Sequence, residues 1–245
     1  MNLGLEGRVC VVTGGTRGIG AATARMLAQE GARVLTVARR DADIELDVTA
    51  PDAGERLLSA SPEPPWALVN NAGTSRARAL DDLSDADWQE QWELHVMAPM
   101  RLMRALAPQM ADGGGGRIVH VSSSSGRRPS RRLDASYSVT KAAQLSLSRV
   151  FADAFAAQGV LVNAVAPGAV EGELWKEEGG LADQLAERTG STRDEVLAAT
   201  RSSAPLGRMG TDEEVAAVIT FLCSELASNV TGAAWAVDGG FVPTV

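Results

Sequence analysis

Residues 8–20 read Arg8-Val9-Cys10-Val11-Val12-Thr13-Gly14-Gly15-Thr16-Arg17-Gly18-Ile19-Gly20, and this stretch decides the fold. Its first half is an apolar run of strand length, its second half is a glycine-rich turn, and an alanine-rich helix is predicted from Ala21 to about Glu30. Glycines allow a tight turn and a close approach of the backbone to a pyrophosphate, and the free N–H groups of the following helix attract an anion. The stretch therefore predicts the start of a dinucleotide-binding unit. The alternative is a tight turn that binds no ligand.

Strand and helix patterns alternate along the rest of the chain. Further strands are predicted at 32–38, 44–48, 66–69, 117–121, 160–165 and 233–237. Further helices are predicted at 53–59, at 84–110 with a bend at Pro99, around Tyr137, and at 212–226 with Thr211 as its cap. The second and third strands are separated by only about five residues, too few for a covering helix. The alternation predicts an α/β, Rossmann-type, doubly wound parallel sheet that binds its ligand beyond the carboxyl ends of the strands.

Length and composition narrow the classes of protein that fit. With 245 residues, 45% of them hydrophobic, residues 1–245 are expected to form a single domain. Residues at about 168–205 mix glycines with short apolar and charged stretches, which is typical of a mobile helical lid over a substrate. The net charge of −8 argues against nucleic acid and anionic membrane as partners. No leader or membrane span is recognisable, so a cytoplasmic protein is expected, and the isolated Cys10 and Cys223 argue against a metal site or a disulfide.

The only tyrosine of the chain, Tyr137, is followed four residues later by Lys141, one of its two lysines. On a helix this spacing places both side chains on one face, one turn apart. An ammonium beside a phenol favours the phenolate and lowers its pKa, so Tyr137 is a candidate general acid or base. The alternative is an exposed surface pair.

Arg39 and Arg40 follow the second predicted strand directly, where the adenosine ribose of a dinucleotide would lie. An acidic residue there would favour NAD, whereas an arginine can hold the 2′-phosphate of NADP. Together with Arg17 in the glycine turn, the pair favours NADP. The nearby Asp41 and Asp43 weaken the positive field, so NAD stays possible and an ordinary surface pair is the alternative.

Several landmarks follow the glycine turn in order along the chain. They are Asp47-Val48, Asn70-Asn71-Ala72-Gly73, the serines after the fifth predicted strand, Tyr137 with Lys141, Asn163 with Pro167-Gly168, and Val237-Asp238-Gly239-Gly240. With these landmarks the chain resembles the short-chain dehydrogenase/reductase family nearly from end to end.

The resemblance implies hydride transfer between a nicotinamide and a carbonyl or carbinol carbon. Tyr137 would move the proton, a serine would polarise the substrate oxygen, and Lys141 would bond the nicotinamide ribose. The residues that the resemblance places at the cofactor are Gly14, Thr16, Arg17, Gly18, Ile19, Gly20, Arg39, Asp47, Val48, Asn70, Ala72, Gly73, Tyr137, Lys141, Pro167, Gly168 and Val170.

The chain departs from the family pattern at three places. Counted from the fifth strand, the catalytic serine is Ser123, which we prefer; counted back from Tyr137, it is Ser124. His95 stands where the family usually has an asparagine that holds a relay water, and a histidine can hold a water and exchange protons near pH 6.5. We therefore place it with the catalytic residues, while a histidine satisfied by packing is the alternative. Gly172 replaces a threonine that normally touches the cofactor.

These observations predict an NADP-dependent reductase of a ketone, in the manner of the 3-oxoacyl thioester reductases. The alternatives are an NAD-dependent alcohol or diol dehydrogenase and, from another class, a catalytically inactive nucleotide-sensing protein. The resemblance suggests a homotetramer or homodimer formed through the Tyr137 helix and the long helix before it. Arg127, Arg128, Arg131 and Arg132 crowd the loop before Tyr137 and could attract an anionic substrate, or they are a solvated loop or an interface.

Overall fold

Seven strands form one sheet in which every neighbouring pair is parallel, in a computed structural model that describes residues 2–243. The strands are β1 (Val9–Thr13), β2 (Arg33–Ala38), β3 (Ile44–Glu45), β4 (Ala67–Asn70), β5 (Gly116–Val121), β6 (Val160–Pro167) and β7 (Ala234–Val237). All residues of β1, β4 and β5 are buried, because helices cover both faces of the sheet. The predicted Rossmann-type α/β fold is confirmed.

Nine α-helices connect and flank these strands in the described part of the chain. They are α1 (Gly18–Gln29), α2 (Ala53–Ala60), α3 (Asp85–Trp92), α4 (Ala98–Asp112), α5 (Ala135–Phe155), α6 (Glu173–Lys176), α7 (Leu181–Thr189), α8 (Arg193–Ser202) and α9 (Asp212–Cys223). Within residues 2–243, none of the helices combines the length and the apolar composition that crossing a membrane requires.

The strand order β3-β2-β1-β4-β5-β6-β7 reverses direction between β1 and β4. From β1 the chain adds β2 and β3 toward one edge of the sheet. It then crosses to the other side of β1 and adds β4 to β7 toward the opposite edge. At such a reversal the loops after neighbouring strands turn apart and leave a crevice at the carboxyl ends. The segments that follow β1, β4 and β5 therefore border one cleft.

Each face of the sheet has its own apolar core. One face packs Val11, Leu68 and Ile118 against Leu57 and Leu102 of the covering helices. The other packs residues of the same strands, among them Cys10 and Val119, against α1 and α9. Burying a single leucine stabilises the fold by roughly 1.5–3 kcal/mol, so these two layers fix the strand ends that carry the cleft.

Two predicted elements are shorter than the sequence indicated. The strand predicted at 44–48 ends at Glu45, because the Asp47 carboxylate accepts hydrogen bonds from the N–H and hydroxyl of Thr49 and turns the chain. The helix predicted to reach residue 226 ends at Cys223, where the Ser224 hydroxyl donates to the carbonyl of Phe221. The predicted Thr211 cap is confirmed, since its hydroxyl accepts from the Glu214 N–H.

The long helix predicted at 84–110 is two helices joined by a π-helical turn, Glu93–Met97. Pro99 explains the interruption, because it lacks an N–H and its ring conflicts with the carbonyl of residue 95 in a regular α-helix. The wider turn accommodates that carbonyl, and it places His95 at its centre.

Residues 168–205 contain three helices, α6, α7 and α8, which enclose a small apolar cluster with Leu181, Leu185 and Leu197. The Gln184 side-chain carbonyl accepts from the N–H of Ala77, so α7 is joined to the segment after β4. The helical character of this segment agrees with the prediction, and its mobility stays a prediction.

Candidate active site

Tyr137 and Lys141 lie one turn apart on α5, at the carboxyl end of β5. Lys141 is only 4% exposed, and its Nζ lies 5.6 Å from the centre of the Tyr137 ring. The two side chains therefore share one face, as the spacing predicted. The alternative of an exposed surface pair is wrong.

The Lys141 ammonium is held by two neutral oxygen atoms. Its Nζ donates to the carbonyl of Val121 at 2.9 Å and to Oε1 of Gln144 at 3.0 Å. Burial lowers the pKa of Lys141 to about 7, since a charged amine is less stable away from water. Both protonation states of the lysine are thus accessible near neutral pH.

The pKa of Tyr137 is raised above its ordinary value, whereas the sequence led us to expect a lowered one. Burial is the larger influence, and a hydrogen bond with Ser123 works in the opposite direction. The expectation failed because it counted the nearby ammonium and left out the loss of water around the phenol. Tyr137 is therefore a neutral phenol, able to donate a proton.

Ser123 lies just beyond the carboxyl end of β5, with an extended backbone. Its hydroxyl accepts from the N–H of Ser125 and hydrogen-bonds to Tyr137. Ser124 instead begins a short 3₁₀ turn, Ser124–Gly126. Of the two candidates, Ser123 is the one whose side chain contacts Tyr137.

His95 is fully buried, and both of its ring nitrogens have protein partners. Nε2 accepts from the N–H of Thr74 at 3.2 Å, and Nδ1 lies 3.0 Å from Oγ1 of Thr140. The ring packs edge-on against Tyr137, with 5.5 Å between ring centres. Burial, helped by the charge of Lys141, lowers the pKa of His95 well below 6.5. Titration of His95 near pH 6.5 is therefore no longer expected, and the contacts favour the packed-histidine alternative.

The glycine turn after β1 forms a cradle that side chains would fill. A Cβ on Gly20 would lie 2.0 Å from the carbonyl oxygen of Gly14, so only glycine fits there. Gly18 has a φ of 54°, a left-handed conformation that favours glycine. The turn leads directly into the N-terminus of α1, whose first N–H groups have no partner within the helix. Thr16 lies in the glycine turn and Ile19 in the first turn of α1, and this cradle fits a pyrophosphate.

The residues predicted to contact the adenosine lie beyond β2 and β3. Arg39 is exposed, and its charge contributes to lowering the pKa of Asp47, after the two hydrogen bonds from Thr49. Val48 is buried beside them. The Asp43 carboxylate accepts hydrogen bonds from the N–H and the hydroxyl of Thr36. These hydrogen bonds lower the pKa of Asp43, so it stays ionised and NAD remains possible beside NADP.

The segment after β4 borders the same cleft. The hydroxyl of Thr13 accepts from the N–H groups of Asn71 and Ala72 and fixes the start of the segment. A Cβ on Gly73 would lie 3.0 Å from Nε2 of His95, so a larger residue would press on that ring. Asn70 is 4% exposed, and neither polar atom of its amide has a partner.

The segment after β6 brings Pro167, Gly168 and Val170 to the same end of the sheet. Gly172 lies against Asp212, and a Cβ there would lie 3.1 Å from Oδ2 of that carboxylate. A threonine at this position would crowd Asp212, which gives the departure from the family pattern a physical reason.

Sequence reasoning missed two features of the site. Gln144, which binds Lys141, follows it by three residues on the same helix face, and that spacing was an available signal. The fully buried Asp134, at the start of α5, pairs with Arg78 at 3.0 Å, and Arg78 also pairs with Asp87. Asp87 and Asp134 do not follow Arg78 at the three- or four-residue spacing of a helix, so no pattern in the sequence indicated this cluster.

The chain resembles known proteins along nearly its whole length. A family model described as Enoyl-(Acyl carrier protein) reductase matches residues 14–242. The 3-oxoacyl-[acyl-carrier-protein] reductase FabG of Vibrio cholerae is 32% identical, over 97% of this chain and 98% of its own. The cis-4-hydroxycyclohexanecarboxylate dehydrogenase of Sinomonas cyclohexanicum is 36% identical, over 96% of each chain. The crystal structure of L-sorbose reductase from Gluconobacter frateurii complexed with NADPH and L-sorbose superposes with a TM-score of 0.90, at 33% identity and full coverage of both chains.

Proposed function

The chain belongs to the short-chain dehydrogenase/reductase family of NAD(P)-dependent oxidoreductases, and from this premise we propose that it reduces a ketone group with NADP(H). The observation that carries the proposal is the convergence of Tyr137, Ser123 and Lys141 at the carboxyl end of the sheet. A neutral phenol is a proton donor, which suits reduction of a carbonyl more directly than oxidation of an alcohol.

The three residues divide the work of the reaction. A nicotinamide cofactor, when bound, supplies the hydride that reaches the carbonyl carbon. The Tyr137 hydroxyl donates its proton to the carbonyl oxygen, and the Ser123 hydroxyl donates a hydrogen bond to the same oxygen. The Lys141 ammonium stabilises the phenolate left on Tyr137. The products are an alcohol, the oxidised cofactor and the phenolate of Tyr137, which takes up a proton from solvent before the next turnover, so atoms and charge balance.

The cofactor preference rests on two arginines. Arg39 stands where a 2′-phosphate would lie, and Arg17 lies in the glycine turn, 3.9 Å from Glu177. That distance makes a weak, exposed ion pair, which a phosphate can replace. The relative crystallised with NADPH points the same way. NAD stays the alternative, as in an alcohol or diol dehydrogenase.

A substrate screen tests the proposal. The purified protein is given NADPH or NADH with ketones that include 3-oxoacyl thioesters, sugar ketones and cyclic ketones, and consumption of reduced cofactor is followed. Turnover of a ketone with NADPH preferred supports the proposal. Turnover only of alcohols with NAD⁺ would favour the dehydrogenase alternative, and no turnover with any compound would revive a nucleotide-sensing role.

We also propose that the protein assembles as a homodimer or homotetramer through α3, α4 and α5. Val139 and Val150 on α5 are 48% and 62% exposed, and Trp92 at the end of α3 is 39% exposed. A second copy would bury these apolar side chains. Light scattering after gel filtration tests this, and Val150→Glu is expected to shift the protein toward a monomer.

A further inference from the structure

Gln144 occupies an unusual place for a glutamine, because its side chain lies behind the catalytic lysine. It is 1% exposed and lies on α5, three residues after Lys141. Its Oε1 accepts from the Lys141 ammonium at 3.0 Å. The titratable groups that face the ammonium from other directions are Tyr137, His95 and His120, and none of them is an acid that could replace this acceptor.

The chemistry of the lysine fixes the orientation of the amide. An ammonium can only donate hydrogen bonds, so the oxygen of Gln144 faces it and the NH₂ group points elsewhere. Gln144 also lines a cavity of about 10 Å³, together with Asn70 and the apolar Val48, Leu94 and Leu102. A space of that size holds about one water molecule.

Asn70 supplies the second polar wall of this cavity. Its Oδ1 and Nδ2 are both buried and have no protein partner. A buried amide without partners is costly, and a bound water that accepts from the NH₂ group of Gln144 and donates to Oδ1 of Asn70 would give one of the two Asn70 atoms a partner. Such a water needs two to four polar partners, which the two amides provide.

His95 offers no comparable site. Its Nε2 accepts from Thr74 and its Nδ1 bonds Thr140, so neither ring nitrogen is free for a relay water. The polar side chains left to continue a hydrogen-bond chain from the lysine are those around the cavity.

We propose that Gln144 is a positioning residue that holds Lys141 from behind, and that Gln144 and Asn70 together bind one buried water molecule that extends the hydrogen-bond chain of the lysine. The chain then runs from Tyr137 through Lys141 and Gln144 to the water and Asn70. The inference rests on the proposed function only for the catalytic role of Lys141. Its tests need neither substrate nor turnover.

The first test measures Lys141 directly. The chain has two lysines, Lys141 and Lys176, so protein labelled with ¹³C at lysine Cε gives two resonances, which Lys176→Arg assigns. We expect Gln144→Leu to lower the pKa of Lys141 by about one unit, because the ammonium loses an acceptor, and Gln144→Glu to raise it. Gln91→Leu is the matched control, since Gln91 is also fully buried but does not bind the lysine, and it should leave the titration unchanged.

The second test needs no variant, so it holds even if Gln144→Leu fails to fold. A crystal structure of the wild-type protein should show one water within hydrogen-bond distance of the amides of Asn70 and Gln144. A cavity without electron density, or an Asn70 amide bonded directly to Gln144, would overturn the water site. A Lys141 titration that is the same in wild type and in Gln144→Leu would overturn the positioning role. Inactivity of the wild type with every ketone would contradict the proposed function, but the water site and the Lys141 titration could still be interpreted.

Discussion

His95 is joined to Thr140 by a hydrogen bond of 3.0 Å whose direction can be assigned. The Thr140 hydroxyl donates to the carbonyl oxygen of Tyr137, so it accepts from the ring, and Nδ1 of His95 carries the proton. Nε2 is then the acceptor that the N–H of Thr74 requires. A neutral histidine in a single tautomer thus connects the π-helical turn, the segment after β4 and the helix that carries Tyr137.

Replacing His95 tests that connection. We expect His95→Asn to keep most activity, because an amide can supply both a donor and an acceptor, and His95→Leu to lose at least about tenfold in kcat. The pH profile of kcat should have no inflection near 6.5 from this residue, since its pKa lies well below that value. Labelling with ¹⁵N-histidine reports only His95 and His120, and should show the Nδ1–H tautomer for His95. A wild-type rate in His95→Leu would mean that the connection does not matter for turnover.

The two histidines also predict acid sensitivity. Burial lowers the pKa of His95 well below 6.5 and that of His120 to about 3, so the unfolded chain binds more protons than the folded one below pH 6.5. The free energy of unfolding should therefore fall as the pH drops from 6.5 to 5, with a slope for each histidine that steepens toward about 1.4 kcal/mol per pH unit. Urea unfolding at the two pH values measures this, and His120→Phe should roughly halve the dependence. A flat profile would contradict the burial of these rings.

Tyr137→Phe should keep cofactor binding and remove nearly all turnover, because only the proton donor is lost. General acid catalysis typically contributes ~10²–10⁴ in rate. Cofactor affinity from tryptophan fluorescence and steady-state rates measured on the same preparation separate the two effects. Activity within about tenfold of wild type would reject the assignment of Tyr137.

Arg39→Asp should shift preference from NADP toward NAD, because a charge-assisted contact to the 2′-phosphate is replaced by a repulsion. The measurement is the ratio of kcat/KM for the two cofactors. Arg33→Asp is the control, since Arg33 lies at the opposite end of β2 and pairs with Glu63. Equal ratios for wild type and Arg39→Asp would make Arg39 an ordinary surface charge.

The four arginines of the loop before Tyr137 form two pairs, Arg127 with Arg128 and Arg131 with Arg132. Arg127 donates to the carbonyl of Ala234, and Arg128 donates to that of Phe241 and lies 4.9 Å from its ring, so both bind the C-terminal segment. Replacing these two should lower stability and affect charged and neutral substrates equally.

Arg131 and Arg132 are therefore the better test of an electrostatic role. If the substrate is anionic, replacing both by Ser should raise its KM, more at low salt than at high, and spare a neutral ketone of similar size. No dependence on salt would leave the loop a structural element.

The features that could be predicted from the sequence are those that local residue patterns determine. The apolar runs of β1, β4 and β5 gave the parallel sheet, and the four-residue spacing gave the shared face of Tyr137 and Lys141. What the sequence could not predict depends on contacts between distant segments. The pKa of Tyr137 was expected to fall and instead rises, because burial is set by the whole fold. The π-helical turn was expected only as a bend at Pro99, because a proline predicts an interrupted helix but not the form of the interruption.

Burial has a consequence for the acid–base behaviour of the whole molecule. It moves the pKa of His120 to about 3 and that of Cys10 to about 12, and it moves His95 downward and Cys223 and Tyr137 upward. Burial lowers the pKa of Lys141 as well, but from an alkaline value to about 7. Among these buried side chains, Lys141 is therefore the one that a potentiometric titration of the folded protein detects near neutral pH. In unbuffered solution, the protons taken up or released when a nucleotide is added would include the contribution of Lys141, without any label.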